Sequence, residues 1–227
     1  MEIYPGIEIR DLGLYLRKEK TLIISDLHIG FEESLNMQGI LVPRIYFKDF
    51  MLRLRKMLDD VETVVINGDF KHQFGSISRT EWKGSSELFD LLQGKKIVII
   101  QGNHDPILRV LLKNVKIYPF YRIGEILIAH GDEIMKEKAR VIIIGHEHVA
   151  VGLKEGNRIE RFKCFLKGKY KESVLIAMPS CNLATEGTDV LRQDRLSPYL
   201  QQRLDTFDVF IVSDTVYAFG KVKELPR

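Results

Sequence analysis

Five short apolar runs, rich in isoleucine and valine, punctuate the first two thirds of the chain, and each gives way to glycine, aspartate, asparagine or histidine. Thr21–Ser25, Thr63–Asn67, 97–101, Ile126–Ala129 and 141–145 have the length and β-branched content of buried strands. Between the first two, Phe47, Phe50, Met51, Leu54, Met57, Leu58 and Val61 recur at helical spacing. Arg44, Lys48, Asp49, Arg53, Lys56 and Asp60 take the other side, with Pro43 near the first turn, which predicts a helix laid on a sheet. Ser78 and Glu81 have the form of a capping box opening a helix over 81–92, interrupted at Gly84 and stopped by Gly94. Residues 7–17 alternate weakly, as an edge strand or hairpin. Past His148, segments 159–166, 173–178, 207–213 and 215–219 predict a second, more antiparallel sheet packed on the first. Residues 179–206 form a long aperiodic connection of the kind that serves as a lid or interface. Strands alternating with helices argue for an α/β fold whose chemistry sits at the carboxyl ends of the strands.

Composition narrows this picture. A chain of 227 residues fits one domain over 1–227, with 45% apolar and 29% charged residues, a soluble mix. No apolar run is long enough for a bilayer, and MEIYPGIEIR places acids and a proline where a secretory signal needs a basic start, so the expected location is cytoplasmic. Cys164 and Cys181 lack metal or disulfide spacing and read as small core residues. Many Ile, Lys and Glu with few Asn and Gln hint at growth in heat. The net charge of +3 is too mild to announce a nucleic-acid binder. Over 154–171, seven basic residues stand against two acids, interleaved with Phe162, Phe165 and Tyr170. A solvated hairpin face is the first reading of that stretch and a guide for a polyanion the second. Trp82, Tyr118, Phe120 and Tyr121 read as packing residues.

The histidines change the picture most. All six lie at or just beyond the ends of the apolar runs: His28 in DxH with Asp26, His72 three residues after Asp69, His104 in GNHD, then His130, and His146 and His148 in GHEH. On an extended segment Asp26 and His28 point to one side and can reach a single cation. Asp26, His28, Asp69, Asn103, His130, His146 and His148 are too many for one tetrahedral ion and suit two divalent ions that share a carboxylate. Imidazole, carboxylate and amide oxygen without thiolate fit Mn, Fe, Co or Zn, with manganese or iron first because an asparagine oxygen is a hard donor. Such a pair activates a shared water and holds phosphoryl oxygens for in-line attack, the chemistry of phosphoester hydrolysis. His104, next to Asn103, supplies the leaving oxygen with a proton or a positive partner, and Asp105 orients it. Asp132 is either a hydrogen-bond acceptor for His130 or a turn residue, and Asn182 and Thr185 are expected to face the site.

DxH, GDxxH, GNHD, a later histidine and GHxH, in this order over roughly residues 20–150, resemble the calcineurin-like metallophosphoesterases. The PSCN and SPYL segments beyond them resemble the compact ICC-like branch that includes DNA-ligase-associated phosphoesterases. The resemblance implies a four-layer αββα sandwich of two mixed sheets flanked by helices. It implies Asp26, His28 and His148 on one ion, Asn103, His130 and His146 on the other, Asp69 between them, and His104 as general acid. His72 is similar to a histidine of SbcD-type nucleases that acts near the phosphate. That favours a phosphodiester substrate, DNA or RNA included, with a histidine that merely holds a loop as the other reading. No room remains for the capping domain with which repair nucleases grip DNA, so a small diester stays open. So do a phosphomonoesterase or nucleotide pyrophosphatase, and a non-catalytic interaction scaffold of the same fold.

Overall fold

In the computed structural model, which describes residues 1–112, 115–156, 158–192 and 194–225, the chain begins as an antiparallel meander. β1 (Glu2–Tyr4), β2 (Ile7–Arg10) and β3 (Gly13–Leu16) pair in turn, and β3 lies antiparallel to β4 (Thr21–Ser25). The weak alternation over 7–17 is therefore a hairpin, with β1 as the edge outside it. Next come α1 (Phe31–Met37), α2 (Tyr46–Met57), β5 (Thr63–Asn67), α3 (Arg79–Leu91), β6 (Lys96–Ile100), the short α4 (Leu108–Leu111) and β7 (Ile117–Tyr118). β4 to β7 are parallel, so every crossover brings the chain back to the same end of this first sheet.

Local sequence explains these elements. Val64, Val65 and Ile66 are all fully buried, as in a strand covered on both faces. α2 buries Phe50, Leu54 and Met57, one stripe of the periodic pattern, and Pro43 precedes its first turn by three residues. At the start of α3, Ser78 Oγ accepts the Glu81 N–H and the Glu81 carboxylate accepts the Ser78 N–H. The helix starts at Arg79 and runs through Gly84 without the expected interruption. A Cβ at Gly84 would stand 2.6 Å from Ile29 Cγ2, so the missing side chain lets α3 approach the loop after β4.

The second sheet holds β8 (Phe120–Ile123), β9 (Ile126–Ala129), β10 (Val141–Ile144), β11 (Val149–Glu155), β12 (Arg158–Tyr170), β13 (Ser173–Ala177), β14 (Thr188–Asp189), β15 (Asp208–Val212) and β16 (Val216–Lys221). Its order is β14-β11-β12-β13-β10-β9-β8, with β15 paired to β12 and β16 to β15. β9, β10 and β13 are mutually parallel in a sheet that is otherwise largely antiparallel. Here the sequence expectation needs correcting. The runs ending at His130 and His146 belong to this sheet, which begins at Phe120 and not after His148. Strands buried on both faces read alike whichever sheet they join.

Pleating divides the residues of β10 between two cores. Val141 and Ile143 enter the core shared with the first sheet, while Ile142 and Ile144 join Tyr199, Leu200, Phe207 and Leu225 on the other side. The layers thus run helices, sheet, sheet, and an outer cover made by the 179–206 connection and a 3-10 turn, Val222–Glu224. Gln193 in that connection and Asn157 in the basic stretch lie outside the described residues. Arg158, Arg161, Lys169 and Lys171 are exposed, as expected of a solvated hairpin, whereas Lys163 turns inward and donates to the carbonyls of Ser180 (2.9 Å) and Asn182 (2.8 Å). Cys164 and Cys181 are buried and free. Trp82 corrects another expectation, since it is exposed, while Tyr118 and Tyr121 do pack on the core. Among the described residues no helix is long and apolar enough to cross a membrane.

Candidate metal centre

Loops at the ends of β4, β5, β6, β9 and β10 meet between the two sheets. Five of the residues they present, Asp26, His28, Asp69, His146 and His148, hold φ between 43° and 64°, the left-handed region that side chains with a Cβ seldom adopt. Each such residue costs on the order of 1–3 kcal/mol and persists only where its surroundings over-determine it. The DxH segment is accordingly not extended, and Asp26 and His28 converge through two left-handed turns.

The surrounding hydrogen bonds supply that constraint. His28 N–H donates to the Asp69 carbonyl (2.9 Å) and His72 N–H to the Ile29 carbonyl (3.0 Å), which joins the first two loops. Asp105 accepts the N–H groups of Gly102 (3.1 Å), Phe70 (3.1 Å) and Lys71 (3.3 Å). Glu81, besides capping α3, accepts the N–H groups of His72 (3.1 Å) and Gln73 (2.9 Å). Asp26 accepts the Ser25 hydroxyl (2.6 Å) and the His146 N–H (3.1 Å), and its carbonyl accepts the Ser180 hydroxyl (2.7 Å). Glu147 points away from the cluster and accepts the Ser197 N–H (2.8 Å), anchoring the 179–206 connection under β10. Two glycines let these loops touch: a Cβ on Gly102 would lie 2.2 Å from Asp69 N, and one on Gly145 would lie 1.9 Å from Ser25 Oγ.

The seven predicted donors fall into two adjacent groups. In one, His28 Nε2 lies 3.0 Å from His148 Nε2 and 3.4 Å from Asp69 Oδ2, and His148 Nε2 lies 3.7 Å from Asp26 Oδ1. In the other, His130 Nε2 lies 3.0 Å from Asn103 Oδ1, 3.2 Å from His146 Nδ1 and 3.4 Å from Asp69 Oδ1. Asp69 therefore turns one oxygen to each group. Bonds of about 2.0–2.2 Å to a shared cation would place neighbouring donors roughly 3.0–3.6 Å apart, so these spacings fit metal coordination. Asp26, Asp69 and His130 are almost wholly buried, and grouped carboxylates and imidazoles of this kind could hold metal ions.

Electrostatics point the same way. Burial raises Asp26, and the negative charge of Asp69 adds to that. Burial opposes charge on Asp69 too, but the hydrogen bond and charge of His130 and the charge of His28 outweigh it and hold Asp69 low. Burial likewise opposes a charged His130, yet Asp69 and Asp26 push it up to about 9. Burial drives His28 down to about 3 and lowers His146 and His148, which leaves neutral imidazoles with free lone pairs.

His104 and His72 flank the first group, their rings 4.8 Å and 5.5 Å from that of His28. Asp105 does not orient His104 as the sequence suggested, because three backbone N–H groups occupy its carboxylate. His104 Nδ1 instead bonds the carbonyl of His72 at 2.8 Å. Asp132 is exposed, a turn residue. Asn182 lines a small cavity with His28, whereas Thr185 lies on a groove beside Arg53 and Arg161. Sequence reasoning passed over Ser25, Ser180, Glu147 and buried Lys71, and saw Glu81 only as a cap. For Glu147 the signal was an acid between two histidines.

Residues 19–150 match the family model described as calcineurin-like phosphoesterase. The fold is similar to that of the nuclease MPE of Pseudomonas putida, at 19% identity, with a TM-score of 0.67 and 93% of each chain covered. Vacuolar Protein Sorting 29 from Cryptosporidium parvum aligns at 16% identity over 88% of this chain and 97% of its own, with a TM-score of 0.39. No curated protein matches the sequence. With more than half its length matched and both sheets arranged as in a solved member of that fold, the chain belongs to the calcineurin-like phosphoesterase family.

Proposed function

We propose that this chain is a metal-dependent phosphodiesterase with nucleic acid among its substrates, built around two divalent ions that share Asp69. The observation that carries the reading is the carboxylate of Asp69, with Oδ2 facing His28 and Oδ1 facing His130, each at 3.4 Å. Asp26, His28 and His148 would hold one ion and Asn103, His130 and His146 the other, with manganese first and Fe, Co or Zn behind it. Ions bound there supply activation of water and charge compensation at a phosphoryl group. Because ligands come from both sheets, residues 1–227 act as one unit.

The chain's own residues set the rest of the chemistry. The carbonyl of His72 can only accept, so His104 Nδ1 carries a hydrogen, and in the imidazolium form of the ring Nε2 carries the proton that passes to the leaving oxygen. Burial, with the charge of His104 next, lowers His72 to about 4, so it meets the phosphate as a neutral hydrogen-bond donor. Asp105 and Glu81 hold the loops that carry both rings. The nuclease MPE shares the fold, and its name agrees with the nucleic-acid reading, which rests here on His72 beside His104.

Purified protein with Mn²⁺ is expected to hydrolyse bis-p-nitrophenyl phosphate faster than p-nitrophenyl phosphate. A clear monoester preference, or no hydrolysis of either, contradicts the proposal. Metal binding should also release protons. His130, raised to about 9, is protonated at pH 7.5 and must lose its proton before Nε2 can bind a cation. Titration calorimetry in two buffers of different ionisation enthalpy should show release of about one proton per chain at pH 7.5, and apparent affinity rising with pH until His130 is neutral. Zero release would contradict a charged His130 in the metal-free protein.

A further inference from the structure

Four aromatic rings stand in a row at the mouth of the metal centre. Phe31, at the start of α1, meets His72 edge-on with centroids 4.8 Å apart, His72 and His104 lie nearly parallel at 5.5 Å, and Phe74 closes the row 3.9 Å from His104. The last ring is 51% exposed. Its loop is nevertheless pinned. Lys71, itself fully buried, donates to the carbonyls of Gln73, Phe74 (3.3 Å) and His104 (3.0 Å), and Glu81 accepts the N–H groups of His72 and Gln73. A half-exposed phenyl ring on a loop pinned this firmly, in contact with His104, has the features of a stacking platform.

We infer that Phe74 receives the base of the departing nucleotide, so that the substrate is a nucleic acid whose base beside the scissile phosphate is unpaired. The inference rests on the phosphodiesterase reading. His104 hands its proton to the leaving oxygen, and Phe74 lies against His104, so a base attached to the leaving sugar falls within reach of the phenyl face. Inside a duplex a base shows only its edges, and face-to-face stacking needs a free strand or an end. Charge agrees with this division of labour. The net charge is only +3, and Arg53 and Arg161 are paired with Asp11 and Glu186, so neither of these two arginines is a free cation for a phosphate backbone.

The test uses the full chain with Mn²⁺ on thymidylyl-thymidine and on two analogues in which one or the other nucleoside is replaced by a base-free tetrahydrofuran sugar. Bis-p-nitrophenyl phosphate serves as the baseline. Removing the base from the leaving side should raise KM about 10-fold with kcat little changed, and removing the other base should do much less. Phe74→Ala and Phe74→Leu should each bring the intact dinucleotide to the base-free level, and Phe74→Trp should restore the difference. Equal losses on intact and base-free substrates, which mark a ring that merely covers His104, would overturn the inference. So would an absence of base dependence in the unmodified chain, or inertness of all three nucleotides while bis-p-nitrophenyl phosphate is cleaved. Inertness of that diester as well overturns the phosphodiesterase reading, and this inference with it.

Discussion

Asp69→Asn is expected to cut turnover of bis-p-nitrophenyl phosphate roughly 10³-fold while leaving the fold intact. The side chain keeps its size, so no cavity opens, and only the second carboxylate oxygen and its charge are lost. In the native cluster Oδ1 faces His130 and also accepts the His104 N–H at 2.9 Å, while Oδ2 faces His28. An amide serves one group with its oxygen and turns an NH₂ toward the other, where it repels a cation. On the proposed two-ion centre, losing one ion would remove several kcal/mol of charge compensation in the transition state, and each 1.4 kcal/mol or so is a factor of ten. Steady-state kinetics together with elemental analysis check this. Unchanged turnover would exclude Asp69 as the shared ligand.

His104→Gln should lower turnover of a dinucleotide by about 10²–10⁴-fold, the usual contribution of a general acid, with metal content unchanged. The imidazole donates no ligand to either group, and the contact between His104 N–H and Asp69 is backbone and survives the substitution. The loss should shrink on bis-p-nitrophenyl phosphate, because nitrophenolate departs without needing a proton. Equal losses on both substrates would assign His104 a positioning role. Full activity on the dinucleotide would remove it from the mechanism.

Residues that repeat at fixed spacing were the legible ones. Thr21–Ser25 and Thr63–Asn67 are read to the residue because β-branched runs between polar stops leave few alternatives. The seven residues that cluster were legible by type and by position at strand ends. Their convergence through positive φ was not, since no glycine marks Asp26, His28 or Asp69 as left-handed. Sheet membership of β9 and β10 escaped for a related reason. A fully apolar strand does not name its neighbour: β10 takes β13 from a distant segment, while β9 takes β8 across the short turn at Gly124 and Glu125. β11 was missed because Val149–Glu155 follows the GHEH loop directly, without a turn signal. Asp105 next to His104 invited a side-chain pairing that the fold spends on three backbone N–H groups. Ser180 lies more than 150 residues from the Asp26 carbonyl it supports, beyond the reach of any local pattern.

The most direct measurement is anomalous diffraction from crystals of the Mn²⁺-loaded protein. Two peaks per chain are predicted, about 3.5–4 Å apart, with the Asp69 carboxylate between them. A single peak, or a pair that leaves Asp69 unbound, would contradict the account.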